Sequence, residues 1–337
     1  MESLTIATGR PKPPIDAWGT ARLGLIFTLF YRYGPPRWSQ YVRQNWAGQR
    51  LVIGVPFLWL ALFFAVPFVI VLKLSFSEVR LAMPPFAPLI EKVSDVAYAV
   101  NLNLGNYAYL LSDPLYSSSY LYSVQVAGIS TLLCLLVGYP MAYAIARATP
   151  TMRNIWLMLV ILPFWTSFLL RVYAWVGLLK TDGLINQAFG LVGLGPFTMM
   201  YTDFAVYIGI VYSYLPFMIL PLYSNLEKHD LTLLEAAADL GAGPVKSFLR
   251  ITLPLSFPGI VAGSLLVFIP AVGEYVIPSL LGRSDQLMIG RVLSDEFFAN
   301  RDWPVASAVS IAILLLLVVP IVLFQRFQNR ELAGARK

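Results

Sequence analysis

Cysteine and histidine are almost missing from this 337-residue sequence, which has one of each, Cys134 and His229. A single cysteine excludes an intramolecular disulfide and a cysteine-based zinc site, and a single histidine removes most histidine-metal and Ser/His/Asp chemistry. Charge is also scarce. Only 12% of residues are charged, against about 25% in a soluble domain. With 58% hydrophobic residues and a mean hydropathy of +0.69, the chain cannot cover a water-exposed surface. The composition is that of a membrane protein. The net charge of +6 comes without a run of five basic residues, so nucleic-acid binding is not expected.

What is present is apolar length. A helix needs about 20 apolar residues to cross the hydrocarbon core. Six stretches qualify: Leu51–Leu72, Leu121–Ala146, Ile155–Leu179, Phe204–Tyr223, Gly259–Leu281 and Val305–Phe324. None alternates like a barrel strand, and only a helix of this length satisfies its own backbone in lipid. The expected fold is all-α with six transmembrane helices. With the N-terminus inside, the inner segments hold 16 Lys and Arg and the outer loops 7, leaving Arg171 within a span. The basic excess marks the cytoplasmic side, so both termini are expected there.

Three regions follow: an N-terminal tail over 1–50, a transmembrane domain over 51–325 and a C-terminal tail over 326–337. Leu23–Tyr31 has an apolar face suited to an interfacial helix and is too short to span. The long outer connection Lys73–Tyr120 is expected to hold short helices along the outer face.

The loop over 227–258 differs in texture. Asp230 suits the N-cap of a helix from Leu231, with Leu233, Leu234, Ala237 and Leu240 on one side. Gly241 and Gly243 break that helix, and Pro244 fits the N1 position of the next. An amphipathic helical hairpin projecting into the cytoplasm calls for a protein to pack against. The string from Gly241 to Ser247 only superficially suggests a phosphate-binding loop: Val245 precedes Lys246, and Pro244 removes a donor. No other segment fits such a motif, so energy for active transport must come from another polypeptide.

Glu235-Ala236-Ala237, then Gly241, then Ile251, Leu253 and Pro254 resemble over their whole spacing the EAA loop of bacterial ABC importer permeases. The resemblance implies the type I importer permease fold (MetI-like) and makes these seven residues the contact to a separate ATPase. It also implies a second homologous permease, two ATPase subunits that bind ATP and Mg, and a periplasmic substrate-binding protein. The chain itself is then a multi-pass protein of the bacterial inner membrane, not an enzyme, and needs no cofactor or metal. Further strings resemble the polyamine branch of these permeases, closest to the putrescine-import type. They are Asn106-Tyr107, Asp113–Tyr116, Leu162–Phe168 leading to Arg171 and Trp175, Ala205–Tyr212, Val267–Pro278 and Asn300–Ala308. Putrescine is the expected cargo, with spermidine or another small solute as the alternative.

Two charges lie within the spans, Arg171 and Glu274. Counted along straight helices at 1.5 Å per residue, both fall in the outer third of the membrane. Glu274, flanked by Pro270, Gly273 and Pro278, is a candidate carboxylate for a diammonium cargo. The structural alternative is an Arg171–Glu274 ion pair. Aromatic rings attract ammonium groups, and Trp165 and Tyr275 are the aromatic candidates for the path. Gly259-x-x-x-Gly263 reads as helix packing, Cys134 as inert and His229 as a surface residue. An ion-driven secondary transporter is the rival class. It calls for paired intramembrane acids or repeated broken helices, and only Glu274 is present.

Overall fold

The computed structural model describes residues 46–92 and 98–334. The interfacial helix expected at Leu23–Tyr31 lies outside the described residues. Two compact units divide the chain at Phe68 and Val69. In the first, α1 (Trp46–Leu60) leads into a π-turn over Ala61–Ala65, and α2 (Val66–Ser75) begins there and runs into the second. Ile53–Ser75 is long and apolar enough to cross a membrane, and none of its apolar window is buried.

The second unit begins with an irregular connection. Val79 bridges Phe86, and β1 (Ile90–Lys92) pairs antiparallel with β2 (Tyr98–Val100), placing Ile90 opposite Val100. One short helix, α3 (Gly105–Ser112), follows. Short helices were expected along this connection; α3 is one, and Ile90–Lys92 and Tyr98–Val100 pair as strands instead. Asn106 holds it together: its Nδ2 donates to the carbonyls of Ser75 and Ser77, at 2.9 Å each.

Three more helices cross by length and composition: α4 (Pro114–Arg147), α8 (Asp203–Leu226) and the Trp303–Val322 part of α14 (Trp303–Gly334). Each starts on a side-chain cap. Asp113 accepts from Leu115 N at 2.8 Å with Pro114 at the first helical position. Thr202 Oγ1 accepts from Ala205 N, and Asp302 accepts from Val305 N at 3.0 Å. Such caps contribute about 1 kcal/mol each. They also explain why α4 starts seven residues before Leu121, where the apolar stretch begins.

The third and fifth spans are not single helices. The third is α5 (Pro150–Ile161) with a 3-10 turn over Leu162–Trp165, then α6 (Phe168–Leu179) and α7 (Leu184–Leu191). Its two limbs lie at 92° to each other. Pro163 removes a donor, and Thr166 and Ser167 are extended, so the ladder stops there. The fifth is α11 (Phe257–Val272), a break at Gly273–Tyr275, and α12 (Val276–Leu281). Depths counted along straight helices therefore do not hold for Arg171 or Glu274. By length and composition the count rises from four to as many as six when Pro150–Trp165 with Phe168–Leu191, and Pro244–Leu255 with Phe257–Val272, are each taken as one bent span.

α4, α8 and α11 pack around Met218, which is fully buried. A Cβ on Gly138 would stand 3.1 Å from Met218 Cγ, and one on Gly263 would stand 2.8 Å from its Sδ. Glycine at both positions lets the three backbones close on one side chain. Gly263 thus has the packing role read from Gly259-x-x-x-Gly263. Cys134 is buried in the same cluster. α8 is the most enclosed of the four unbroken spans and carries Pro216 and Pro221 within it. Beyond α12 come α13 (Ile289–Ser294) and a π-turn over Asp295–Ala299.

Candidate functional site

The turn after α8 leads into a helical hairpin. Asp230 Oδ1 accepts from Thr232 N at 3.0 Å, a bond that holds its carboxyl below the ordinary range. The first arm is α9 (Thr232–Asp239), which starts one residue after the expected Leu231. Its end shows why Gly241 is needed. Gly241 N donates to Ala238 O and Ala242 N to Ala237 O, at 2.9 Å each, with Gly241 at φ +78°. This two-bond closure requires a left-handed residue that only glycine adopts cheaply. The second arm begins with α10 (Pro244–Ser247), with Gly243 at its N-cap and Pro244 at the first position. It continues through a π-turn over Phe248–Thr252 to Leu253–Leu255, and meets α11 at 62°.

Phe248 roots the hairpin in the bundle, edge-on to Tyr139 and Tyr143 of α4. Tyr139 OH and Ser256 Oγ are 2.8 Å apart at the bend. Beside the root, Arg153 Nη1 donates to Glu227 Oε1 at 2.5 Å, and His229 Nε2 lies 3.2 Å from Asn225 Oδ1. Burial pushes the His229 imidazole below its usual value. Of the motif residues, Ala237 is buried, Ile251 and Leu253 are half-buried, and Glu235, Ala236, Gly241 and Pro254 are exposed. Leu233, Leu240, Val245 and Leu249 also stand exposed, so the hairpin carries uncovered apolar surface away from its root.

The intramembrane charges sit at the two helix breaks. Glu274 is buried, and its Oε1 accepts from Val276 N at 3.0 Å and Ile277 N at 3.3 Å. It therefore caps the N-terminus of α12, where the helix dipole favours a carboxylate. Its Oε2 accepts a short bond from Tyr214 OH. Arg171 stands in the first turn of α6, 5.2 Å over the Phe164 ring and 5.7 Å over Phe168. Its Nε and Nη1 are buried without a hydrogen-bond partner. The alternative of an Arg171–Glu274 pair is thus not realised. The carboxylate oxygens are taken by α12 and Tyr214, and the guanidinium is turned onto aromatic faces. Trp165 is 81% exposed at the first break, and Tyr275 is exposed at the second.

Sequence reasoning passed over Tyr214 in favour of Trp165 and Tyr275. The available signal was a phenol hydroxyl in mid-span, which needs a partner when buried. At the end of α8 away from the hairpin lies a polar cavity of about 420 Å3, lined by Tyr122, Gln125, Asp203, Arg283 and Asp285. There Tyr122 OH donates to Asp203 at 2.8 Å, and Arg283 Nε donates to Asp285 at 2.8 Å. That bond lowers the Asp285 carboxyl below its ordinary value. Among the described residues no group of three or more His, Cys, Asp or Glu could hold a metal ion.

Residues 135–333 match the family described as binding-protein-dependent transport system inner membrane component. The chain is 40% identical over 280 residues to the spermidine/putrescine transport system permease protein PotB of Haemophilus influenzae, covering 82% of this chain and 93% of that one. Identity to PotB of Escherichia coli K12 is 44% over 225 residues, covering 66% and 82%. Among solved structures, a bacterial ABC transporter involved in the import of the acidic polysaccharide alginate superposes with a TM-score of 0.64. The identity is 15%, covering 87% of this chain and 99% of that chain. At that identity the likeness speaks to fold alone, and the fold is that of an importer permease. The chain belongs to the binding-protein-dependent transport system inner membrane components, as a multi-pass permease of the inner membrane.

Proposed function

We propose that this permease passes a polyamine across the inner membrane, driven by ATPase subunits that engage the hairpin. The observation that carries the cargo reading is Glu274, a buried carboxylate at a break in a membrane helix, with no ion-pair partner among the described residues. Such a group is costly unless it serves a purpose. A diammonium or triammonium cargo supplies the missing positive charge. Tyr275 and Trp165 add exposed rings at the two breaks, and rings stabilise ammonium groups by about 0.5–2 kcal/mol. Arg171 belongs to the same pair of breaks and sets a positive edge to the path. The relatives named for spermidine and putrescine support this cargo class, and both polyamines are retained as cargo. The alginate importer has the same fold, so cargo is a matter of the site and not of the fold.

For coupling, Glu235, Ala236, Ala237, Gly241, Ile251, Leu253 and Pro254 form the contact to the ATPase. The exposed Leu233, Leu240 and Val245 supply apolar surface to bury. Both termini and the hairpin then face the cytoplasm. A second homologous permease completes the path, two ATPases bind ATP and Mg, and a periplasmic binding protein delivers cargo on the other side.

The test is cargo-stimulated ATPase activity of the reconstituted transporter with binding protein, comparing putrescine, spermidine and a neutral solute. Stimulation by a polyamine that is lost in Glu274→Gln supports the reading. Equal stimulation of wild type and Glu274→Gln, with the complex still assembled, would remove Glu274 from the path.

A further inference from the structure

Between Gly183 and Thr202 the sequence has no Asp, Glu, Lys, Arg or His, although Lys180, Asp182 and Asp203 stand at its edges. This is a connection between helices, and connections exposed to water are polar. Its helix α7 has eight residues, about 12 Å at 1.5 Å per residue, too short to cross a membrane. Yet its apolar side chains point outward. Leu191 is 92% and Leu184 65% exposed, and Val192, Leu194, Phe197 and Tyr201 are exposed with them.

Asn186 ties the two ends of this segment together. Asn186 is buried, and its Nδ2 donates to Lys180 O at 3.2 Å and Phe197 O at 2.9 Å. Its Oδ1 accepts from Phe197 N at 2.8 Å. Gly193 and Gly195, at φ +76° and +90°, turn the chain after α7 and bring Phe197 against Phe189, with ring centroids 5.3 Å apart. Gln187 donates to Asp182 O at 2.8 Å, and Thr202 donates to Met199 O at 2.5 Å. Asn186, Gln187 and Thr202 thus direct these bonds to nearby main chain.

We infer that residues 183–201 lie in the lipid interface, as an anchor at the end of α8 opposite the hairpin. The groups bound by Asn186 are satisfied within the segment, and the headgroup layer leaves the remaining backbone groups access to water, which the hydrocarbon core would not. A protein interface sets polar and charged residues all round an apolar centre, whereas here the charges Lys180, Asp182 and Asp203 stand only at the two ends of the segment, where an interfacial segment returns to water. The helices on either side in the chain also expose apolar residues, Leu170 and Tyr173 of α6 and Phe204 at the start of α8. A short helix with its apolar face in the headgroup layer and aromatic rings beside it is the geometry of an interfacial segment.

The native chain has one cysteine, Cys134, which simplifies the test. In a Cys134→Ala background, nitroxide labels are placed singly at Leu184→Cys, Leu191→Cys and Leu194→Cys, with Ser284→Cys as the water-exposed reference at the same end. Collision with oxygen and with a soluble nickel chelate is measured in the complete transporter in liposomes. The expected oxygen-to-nickel accessibility ratio is several-fold higher at the three leucine positions than at Ser284. Nickel accessibility equal to that of Ser284 would overturn the inference. Shielding from both reagents would also overturn it, because a protein surface would then cover the patch.

Discussion

Arg171 and Glu274 are connected through aromatic rings and not through an ion pair. Arg171 lies over Phe164, Phe164 stands edge-on to Phe217 at 5.2 Å, Phe217 meets Tyr214 at 6.0 Å, and Tyr214 donates to Glu274. Residues coupled only through such a chain behave nearly independently. In denaturant unfolding of the solubilised complex, Arg171→Gln and Glu274→Gln are expected to add within about 0.5 kcal/mol. A coupling energy above about 1 kcal/mol would show that the two sites are not independent. Glu274→Ala is expected to cost more than Glu274→Gln, by about 1–3 kcal/mol, because two backbone donors and the Tyr214 hydroxyl lose their acceptor.

The break before α12 is braced from outside. A Cβ on buried Gly290 would collide with Gly273 O and stand 2.9 Å from Glu274 O. Both obstacles are backbone and cannot rotate away. Gly290→Ala is expected to destabilise by about 1–3 kcal/mol. Gly128→Ala, in α4 with no atom within 4 Å, serves as the control and should be neutral or stabilising by up to about 1 kcal/mol. Equal effects of the two substitutions on thermal unfolding would show that the break is not held by Gly290.

His229 gives the hairpin root a pH dependence with a definite sign. Burial lowers its folded-state value, and the nearby Arg147 acts in the same direction. The unfolded chain therefore binds the proton more readily than the folded one. The contribution is complete above the ordinary value of about 6.5 and is lost as pH falls below it toward the lowered folded value. Hydrogen exchange over 225–260 should be faster at pH 5.5 than at pH 7.5 after correction for intrinsic rates. His229→Gln should flatten that difference. An unchanged difference in His229→Gln would assign the effect to other groups.

The sequence made some features legible and hid others for physical reasons. Asp230, Gly241, Gly243 and Pro244 act within a few residues of themselves, so turn chemistry alone placed the hairpin to within one residue at its start. Long apolar runs located the spans, because lipid leaves a backbone no other partner. The break at Gly273 was foreshadowed by Pro270 and Pro278, whereas the one after Pro163 was not, since a single proline more often bends a helix than ends it. The pairing of β1 with β2 left no strong alternation to read. Depth counts brought Arg171 and Glu274 to the same level but could not show that Tyr214 and the end of α12 would claim the carboxylate first. That competition exists only in three dimensions.

One consequence concerns α8, which joins the hairpin to the apolar connection around Asn186. Pro216 and Pro221 bring no N–H to the helix ladder, so the carbonyls of Tyr212 and Phe217 have no donor four residues on. Two rungs are thus missing in the half of α8 nearest the hairpin. Bending compliance is concentrated there, while the half near Asp203 keeps its full ladder. A load applied at the hairpin end of α8 would therefore flex the helix about Pro216 and Pro221 before it reached the far end.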